Sequence, residues 1–375
     1  MLRHDDWEAA ARVSVAAMTA VNVDIPRPGR RVTVAAAISL TVFSAVLVAG
    51  ETWAKWWPYG HKVAKIVGTH VYPGKSILDA AGPAGAAPTW AHAWNFTVAY
   101  GKSVWMALVA ALFIGAGIQT LLPKRAFTRV FASTGTRGSF YGAVAALPCL
   151  MCTCCGAPVT NALRRAGASR SSALAWWLGN PLLNPVVLIF LALVLPWQMT
   201  VTRILVGAAV VVGGSALVAR FAGGETPAGL PVVSDAPAEA EPPVALRYVK
   251  ALLRLAVLLV PEYFIVVVAL GAFRGWLLPL GHDASSWGVA AIVVAAVAGT
   301  LLVIPTGAEI PVIAGLTAAG FATGVLGAVL IALPAISLPS MVMVGRDLSW
   351  KVVAATAGVV VVGALAGAGL LSVLA

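Results

Sequence analysis

Apolar blocks long enough to cross a bilayer recur along this chain, and they constrain its fold more than any motif does. About 20 consecutive apolar residues in a helix span the hydrocarbon layer. Such blocks lie at 32–50, 95–122, 172–196, 203–221, about 250–273, 322–344 and 351–373, with two further apolar but interrupted stretches at 139–160 and 288–320. Only 10% of the 375 residues are charged and 60% are hydrophobic, whereas soluble domains carry about 25% charge. Mean hydropathy is +0.92. A soluble enzyme, a disordered chain and a nucleic-acid-binding module are excluded, despite the formal net charge of +11. The expectation is an all-α polytopic membrane protein. The 37 glycines and 23 prolines argue that some of its helices are broken, and broken helices in a membrane are where function usually sits.

Charge orders the segments. Residues 1–31 are polar (Asp5, Asp6, Glu8, Asp24, Arg27, Arg30, Arg31), and the apolar run that follows is longer than the core of a signal peptide, which is about 7–15 residues. They read as a cytoplasmic N-terminal segment. Residues 32–94 read as a first transmembrane helix followed by an external loop from 51, with interfacial tryptophans (Trp53, Trp56, Trp57), solvated histidines (His61, His70, His92) and four lysines. Lys124, Arg125, Arg129 and Arg137 put the connection after the second span in the cytoplasm by the positive-inside rule. Arg164, Arg165 and Arg170 follow 139–160, so that stretch is expected to re-enter or fold back rather than to cross. Residues 223–246 hold Glu225, Asp235, Glu239, Glu241 and five prolines and read as a flexible cytoplasmic linker. Transmembrane repeats are expected on either side of it, at 95–222 and 247–375.

The repeat rests on one register. At an offset of 153, Pro158 falls on Pro311, Leu163 on Leu316, Gly167 on Gly320 and Pro181 on Pro334. The first motif is followed by three arginines, whereas 288–345 has no Lys or Arg, so equivalent loops are expected on opposite faces. That makes the repeat inverted, an architecture typical of secondary transporters with a midplane site at broken helices. The reading implies a multi-pass protein of the inner (plasma) membrane with a cytoplasmic N-terminus, a transporter and not an enzyme. The bilayer is one partner and a small solute the other. No cofactor or nucleic acid is implied, and proton coupling and a homo-oligomer are left open.

Chemistry concentrates in Pro148-Cys149-Leu150-Met151-Cys152-Thr153-Cys154-Cys155-Gly156-Ala157-Pro158. Four thiols within seven residues at a helix break form a ligand or redox site rather than a scattered disulfide framework. Thiolates select soft centres such as Cu(I), Hg(II), As(III) or Zn(II), and one short segment brings two or three sulfurs to one such centre more readily than four. Of the fourteen acids, only Glu262 and Glu309 fall in the expected apolar segments. Intramembrane carboxyls are functional candidates by default. Glu309, in the second broken motif, is expected to face the cysteines and couple transport to protons, or else to hold backbone amides freed at the break. Glu262 is expected to pair with Lys102, the only Lys well inside an expected span. Asn180 and Asn184, flanking Pro181, would line the path or satisfy backbone groups released by proline. Trp176 and Trp177 read as packing.

Three segments together, Cys152-Thr153-Cys154-Cys155-Gly156-Ala157-Pro158, Leu163-Arg164-Arg165-Ala166-Gly167-Ala168-Ser169 and Asn180-Pro181-Leu182-Leu183-Asn184-Pro185, resemble the ArsP-like permease family, also described as predicted two-component permeases. The family pattern runs Cys-Ser-Cys-Gly-x-x-Pro, Leu-Arg-Arg-x-Gly-Ala-Ser, then a Thr-Pro-x-x-Asn-Pro-like turn. The resemblance implies export of trivalent organoarsenicals, with Cys152 and Cys154 as arsenic ligands. Three features depart from the pattern. Cys155 stands where the family usually has Gly, Cys149 is additional, and Pro305-Thr306-Gly307-Ala308-Glu309 stands where many relatives keep a second Cys motif. The alternatives are a permease for another soft metal, metalloid or sulfur compound, and a membrane thiol-redox or metal-handling subunit.

Overall fold

A computed structural model describes residues 30–70, 87–121, 130–221, 242–277, 288–318 and 320–375. The chain divides into two units. Of the first, Met1–Ile38, only the opening of helix α1 is described. The second, Ser39–Ala375, carries all that follows.

The described residues are predominantly helical, with short non-helical breaks. In chain order they form α1 (Arg30–Glu51), a π-helical turn (Thr52–Trp56), α2 (Trp57–Thr69), α3 (Trp90–Thr120), α4 (Gly135–Ala146), a 3-10 turn (Leu147–Cys149), α5 (Thr153–Arg165), α6 (Arg170–Leu182), α7 (Pro185–Val194), α8 (Trp197–Ala208), a second π-helical turn (Ala209–Gly214), α9 (Ser215–Phe221), α10 (Val244–Leu277), α11 (Val289–Leu301), α12 (Glu309–Ala318), α13 (Thr323–Ala335), α14 (Leu338–Leu348) and α15 (Trp350–Leu374). Among the described residues, six helical runs are long and apolar enough to cross a membrane. A seventh is added if α13 and α14, bent by 50° at their break, count as one. The protein is an all-α polytopic membrane protein.

The expected breaks fall where proline chemistry puts them. Pro148 closes a 3-10 turn that ends at Leu150, a non-glycine residue at φ +48°. The chain then runs non-helically through Met151 to Cys152, which caps α5. Pro181 ends α6, and Asn184 caps α7, whose first residue is Pro185; proline suits that position because its missing N–H would be unpaired anyway. In the second half, 302–308 separates α11 from α12, and Ser337 opens α14 with a capping box closed by Ser340.

The repeat is legible in helix borders as well as in residues. At the same offset of 153, Arg170–Leu182 falls on Thr323–Ala335, Trp197 on Trp350, and the end of α5 at Arg165 on the end of α12 at Ala318. Gly167 and Gly320 have φ of +102° and +78°, and Gly135 and Gly288 have +63° and +52°. The turns between helices therefore repeat too, at positions where a Cβ would be strained.

Helices α3 and α10 pack together, α4 against α6, and α13 against α15. Small residues allow the close approach, as expected for helices packing in lipid. A Cβ on Gly142 of α4 would collide with the Ser172 carbonyl of α6, and one on Gly327 of α13 with the Gly367 carbonyl of α15.

The expected loop from residue 51 is the main departure. The helical run continues through the π turn to Thr69, and Ala37–Thr69 is one apolar span. The polar cluster at 51–62 ended the expected span on composition alone, but its charged members Glu51 and Lys55 are buried and interrupt no helix. Glu51 therefore joins the intramembrane acids, and Lys55 replaces Lys102, which is exposed, as the buried intramembrane lysine. The side chain of Glu262 lies outside the described residues, as does the expected linker up to residue 241; Val244 onward is already α10.

Candidate functional site

Helix α5 starts with its sulfurs gathered. Cys152 is the N-cap, and Cys154 and Cys155 occupy the first turn, so the three side chains converge at one helix end. The Cys152 Sγ lies 3.0 Å from the Cys154 Sγ and 3.1 Å from the Cys155 Sγ. All three sulfurs lie within 4.8 Å of one another, and among the described residues they form the group able to hold a metal ion. The thiols are free and all but sealed from solvent, with at most 4% exposure. Tyr100 of α3 shares a hydrogen bond with the Cys154 Sγ at 2.9 Å. Pro158, one turn into α5, has no N–H to give the Cys154 carbonyl.

Cys149 does not join them. Its Sγ donates to the Ala145 carbonyl at 3.7 Å within its own turn, because the left-handed Leu150 turns the chain between it and Cys152. The expected four-cysteine set is a set of three.

Around the thiols, several elements hold the two broken motifs in register. Asn180 accepts from the Met151 N–H at 3.3 Å and donates to the Trp176 carbonyl at 2.9 Å, fixing the non-helical stretch before Cys152 to the end of α6. The Trp177 indole donates to the Thr153 carbonyl. Asn184 accepts from the N–H groups of Val186 and Val187, while its Nδ2 is buried without a partner. Both asparagines thus satisfy backbone groups at breaks. The N-termini of α5 and α14 meet, Thr153 Oγ1 lying 3.2 Å from Ser337 Oγ. Helix N-termini carry a partial positive charge, and two of them converge beside the sulfurs.

Glu309 is placed differently from expectation. Its partner is Arg203 of α8, with Nη2 3.0 Å from Oε1. The same guanidinium donates to the carbonyls of Pro181, Leu182 and Leu330. Glu309 Oε2 makes no hydrogen bond. The carboxyl therefore anchors a buried cation that gathers the Pro181, Leu182 and Leu330 carbonyls.

Sequence reading missed Arg203 because it stands first in the expected span 203–221 and so reads as an edge charge; the helix begins at Trp197 and buries it completely. It also missed the inward face of the first span. There Lys55 donates to Thr306 Oγ1 at 3.3 Å, Tyr59 to the Thr306 carbonyl at 3.2 Å and Trp56 to the Pro148 carbonyl at 2.9 Å. The available signal was the spacing of Glu51, Lys55 and Tyr59, four residues apart on one helical face.

Paired broken helices meeting at a buried three-thiol cluster within a multi-pass helical protein define a membrane permease. Comparisons with known proteins agree. Residues 89–228 match the ArsP-type family described as "Predicted permease". The chain is 37% identical over 329 residues, 88% of its own length and 93% of the relative's, to the UPF0718 protein YraQ of Escherichia coli (strain K12). No solved structure matches. The chain belongs to the UPF0718 family of ArsP-type predicted permeases.

Proposed function

We propose that this permease exports soft, thiol-reactive solutes from the cytoplasm, trivalent organoarsenicals such as methylarsenite first among them. The observation that carries the reading is the cluster of Cys152, Cys154 and Cys155 Sγ atoms, mutually within 4.8 Å and buried at a helix break. Soft sulfur donors select soft centres. A hydrated arsenical RAs(OH)₂ meeting two thiols exchanges two As–O bonds for two As–S bonds and releases two water molecules. No oxidant or reductant is needed, and the step reverses when the solute leaves. Cys152 and Cys154 are the ligands in this reading and Cys155 completes the shell. Asn180 and Asn184 hold the breaks that frame the site.

The repeat supports transport over a thiol-redox role. Two copies of one helix order, related at a fixed offset, suit a pair of elements that rock about a central site. The proposal includes an inverted orientation of the copies, drawn from the arginines after the first motif and their absence from 288–345. It also places the chain in the inner membrane with its N-terminus in the cytoplasm. The third thiol favours one alternative, a soft ion bound by three sulfurs.

Accumulation of methylarsenite in cells decides between them. Cells expressing the chain should accumulate less than controls, and Cys152→Ser with Cys154→Ser should remove the difference while leaving the protein in the membrane. Equal accumulation in expressing and control cells would falsify the arsenical reading. Accumulation of Hg(II) or Cu(I) measured in the same cells tests the three-sulfur alternative.

A further inference from the structure

The thiols account for one part of a solute, and the buried cation beside them has no assigned partner. Lys55 is 5% exposed. Its ammonium makes one hydrogen bond, to Thr306 Oγ1, and sits 5.4 Å from the Tyr59 ring centroid. Lys55 belongs to neither of the ion pairs Arg165 with Asp347 and Arg203 with Glu309. Glu51, one turn earlier, is also buried, and neither of its carboxylate oxygens makes a hydrogen bond. Glu51 acts on the Lys55 ammonium electrostatically but forms no ion pair with it, and a buried lysine so weakly compensated is costly. Intramembrane charges retained at such cost mark solute paths.

The position of Lys55 is built. The π-helical turn Thr52–Trp56 contains it, and π turns recur at functional sites because they redirect side chains. The neighbouring Trp56 is tied to the first broken motif through Pro148, and Tyr59 to the second through Thr306. Thr306 occupies the repeat position of Thr153, so the first span straps both motifs and sets the ammonium between them. Cys152 and Cys155 lie within its electrostatic reach. The N-termini of α5 and α14, meeting at Thr153 and Ser337, add positive potential to the same region.

We propose that Lys55 is the anion-recognition element of this site, and that it favours solutes carrying a negatively charged group beside their soft centre. This rests on the thiol-ligand reading above and adds a preference to it: aromatic arsenicals bearing a carboxylate bind tighter than neutral congeners.

Two congeners that differ by one charge test this: phenylarsenous acid and 4-carboxyphenylarsenous acid, titrated into the full chain in lipid nanodiscs with intrinsic tryptophan fluorescence as readout. Wild type should bind the carboxylate congener tighter by about tenfold or more, the scale of a charge-assisted hydrogen bond. Lys55→Gln should bring the ratio of the two affinities close to one, and Lys55→Arg should keep it above one. The proposal is overturned if wild type binds both congeners equally, or if Lys55→Gln weakens both and leaves the ratio intact, which would make Lys55 a structural support of the thiols. Either result leaves the thiol-ligand reading standing. Binding of neither congener by wild type removes that reading and this one with it. The wild-type ratio alone is decisive, so the test survives a variant that fails to fold.

Discussion

Separating Arg203 from Glu309 should cost more than either residue's hydrogen bonds suggest, because each would leave the other as an isolated charge in apolar surroundings. The guanidinium is 0% exposed and the carboxyl 2%. Replacing Arg203 by Met strands the Glu309 carboxylate, a penalty of about 3–5 kcal/mol for breaking a buried pair. It also removes the donors to the Pro181, Leu182 and Leu330 carbonyls, adding about 1 kcal/mol for each. Glu309→Met strands the arginine but leaves those three bonds, so the expected loss is nearer the pair penalty alone. The double variant contains neither charge, so both stranded-charge penalties vanish and its loss should fall to about 3 kcal/mol, from the three lost carbonyl bonds, well short of the sum of the singles. Denaturant unfolding in detergent micelles, followed by the fluorescence of the chain's 13 tryptophans, measures all three. A double variant whose loss equals the sum of the singles within about 0.5 kcal/mol would show that the two charges do not stabilise one another and that the argument from burial is wrong.

Two further outcomes follow from the same site. If Glu309 couples transport to protons, proteoliposomes carrying Glu309→Gln should lose the response of arsenical flux to an imposed pH gradient; an unchanged response sinks the coupling. Cys149 lies outside the thiol cluster and bonds within its own turn, so Cys149→Ala should retain methylarsenite binding that Cys152→Ser loses. Equal loss in both variants would return Cys149 to the ligand set.

How far the sequence discloses this molecule depends on whether a feature is local. Apolar blocks and prolines are local, so the spans after the first and the presence of breaks near Pro148, Pro181 and Pro305 are readable in advance, as is the repeat register. The gathering of three sulfurs is nearly local, since it needs only the start of one helix. Two kinds of feature are not. A charge at the edge of an apolar block reads as the end of a span, and only packing shows that Glu51 and Lys55 lie inside the first and Arg203 inside another. The destination of a long side chain is also invisible. Glu309 lies one residue past the repeat position of Cys155, and nothing near it in sequence announces Arg203, more than a hundred residues upstream, which holds it.

That arginine explains why the two motifs differ chemically while their helices coincide. At the offset of 153, Cys154, Cys155 and Gly156 become Gly307, Ala308 and Glu309, and Arg203 becomes Thr356. The first motif carries the three gathered thiols. The second has no cysteine and sets a carboxyl against a cation carried by α8, in the first half. A symmetric pair of cysteine motifs would present two equivalent thiol clusters. Here one motif holds the thiols, and the other carries an ion pair to the first repeat. Because Arg203 also holds the Pro181 and Leu182 carbonyls, and Asn180 beside them holds Met151 ahead of Cys152, a movement at Glu309 has a continuous set of hydrogen bonds through which to reach the thiols.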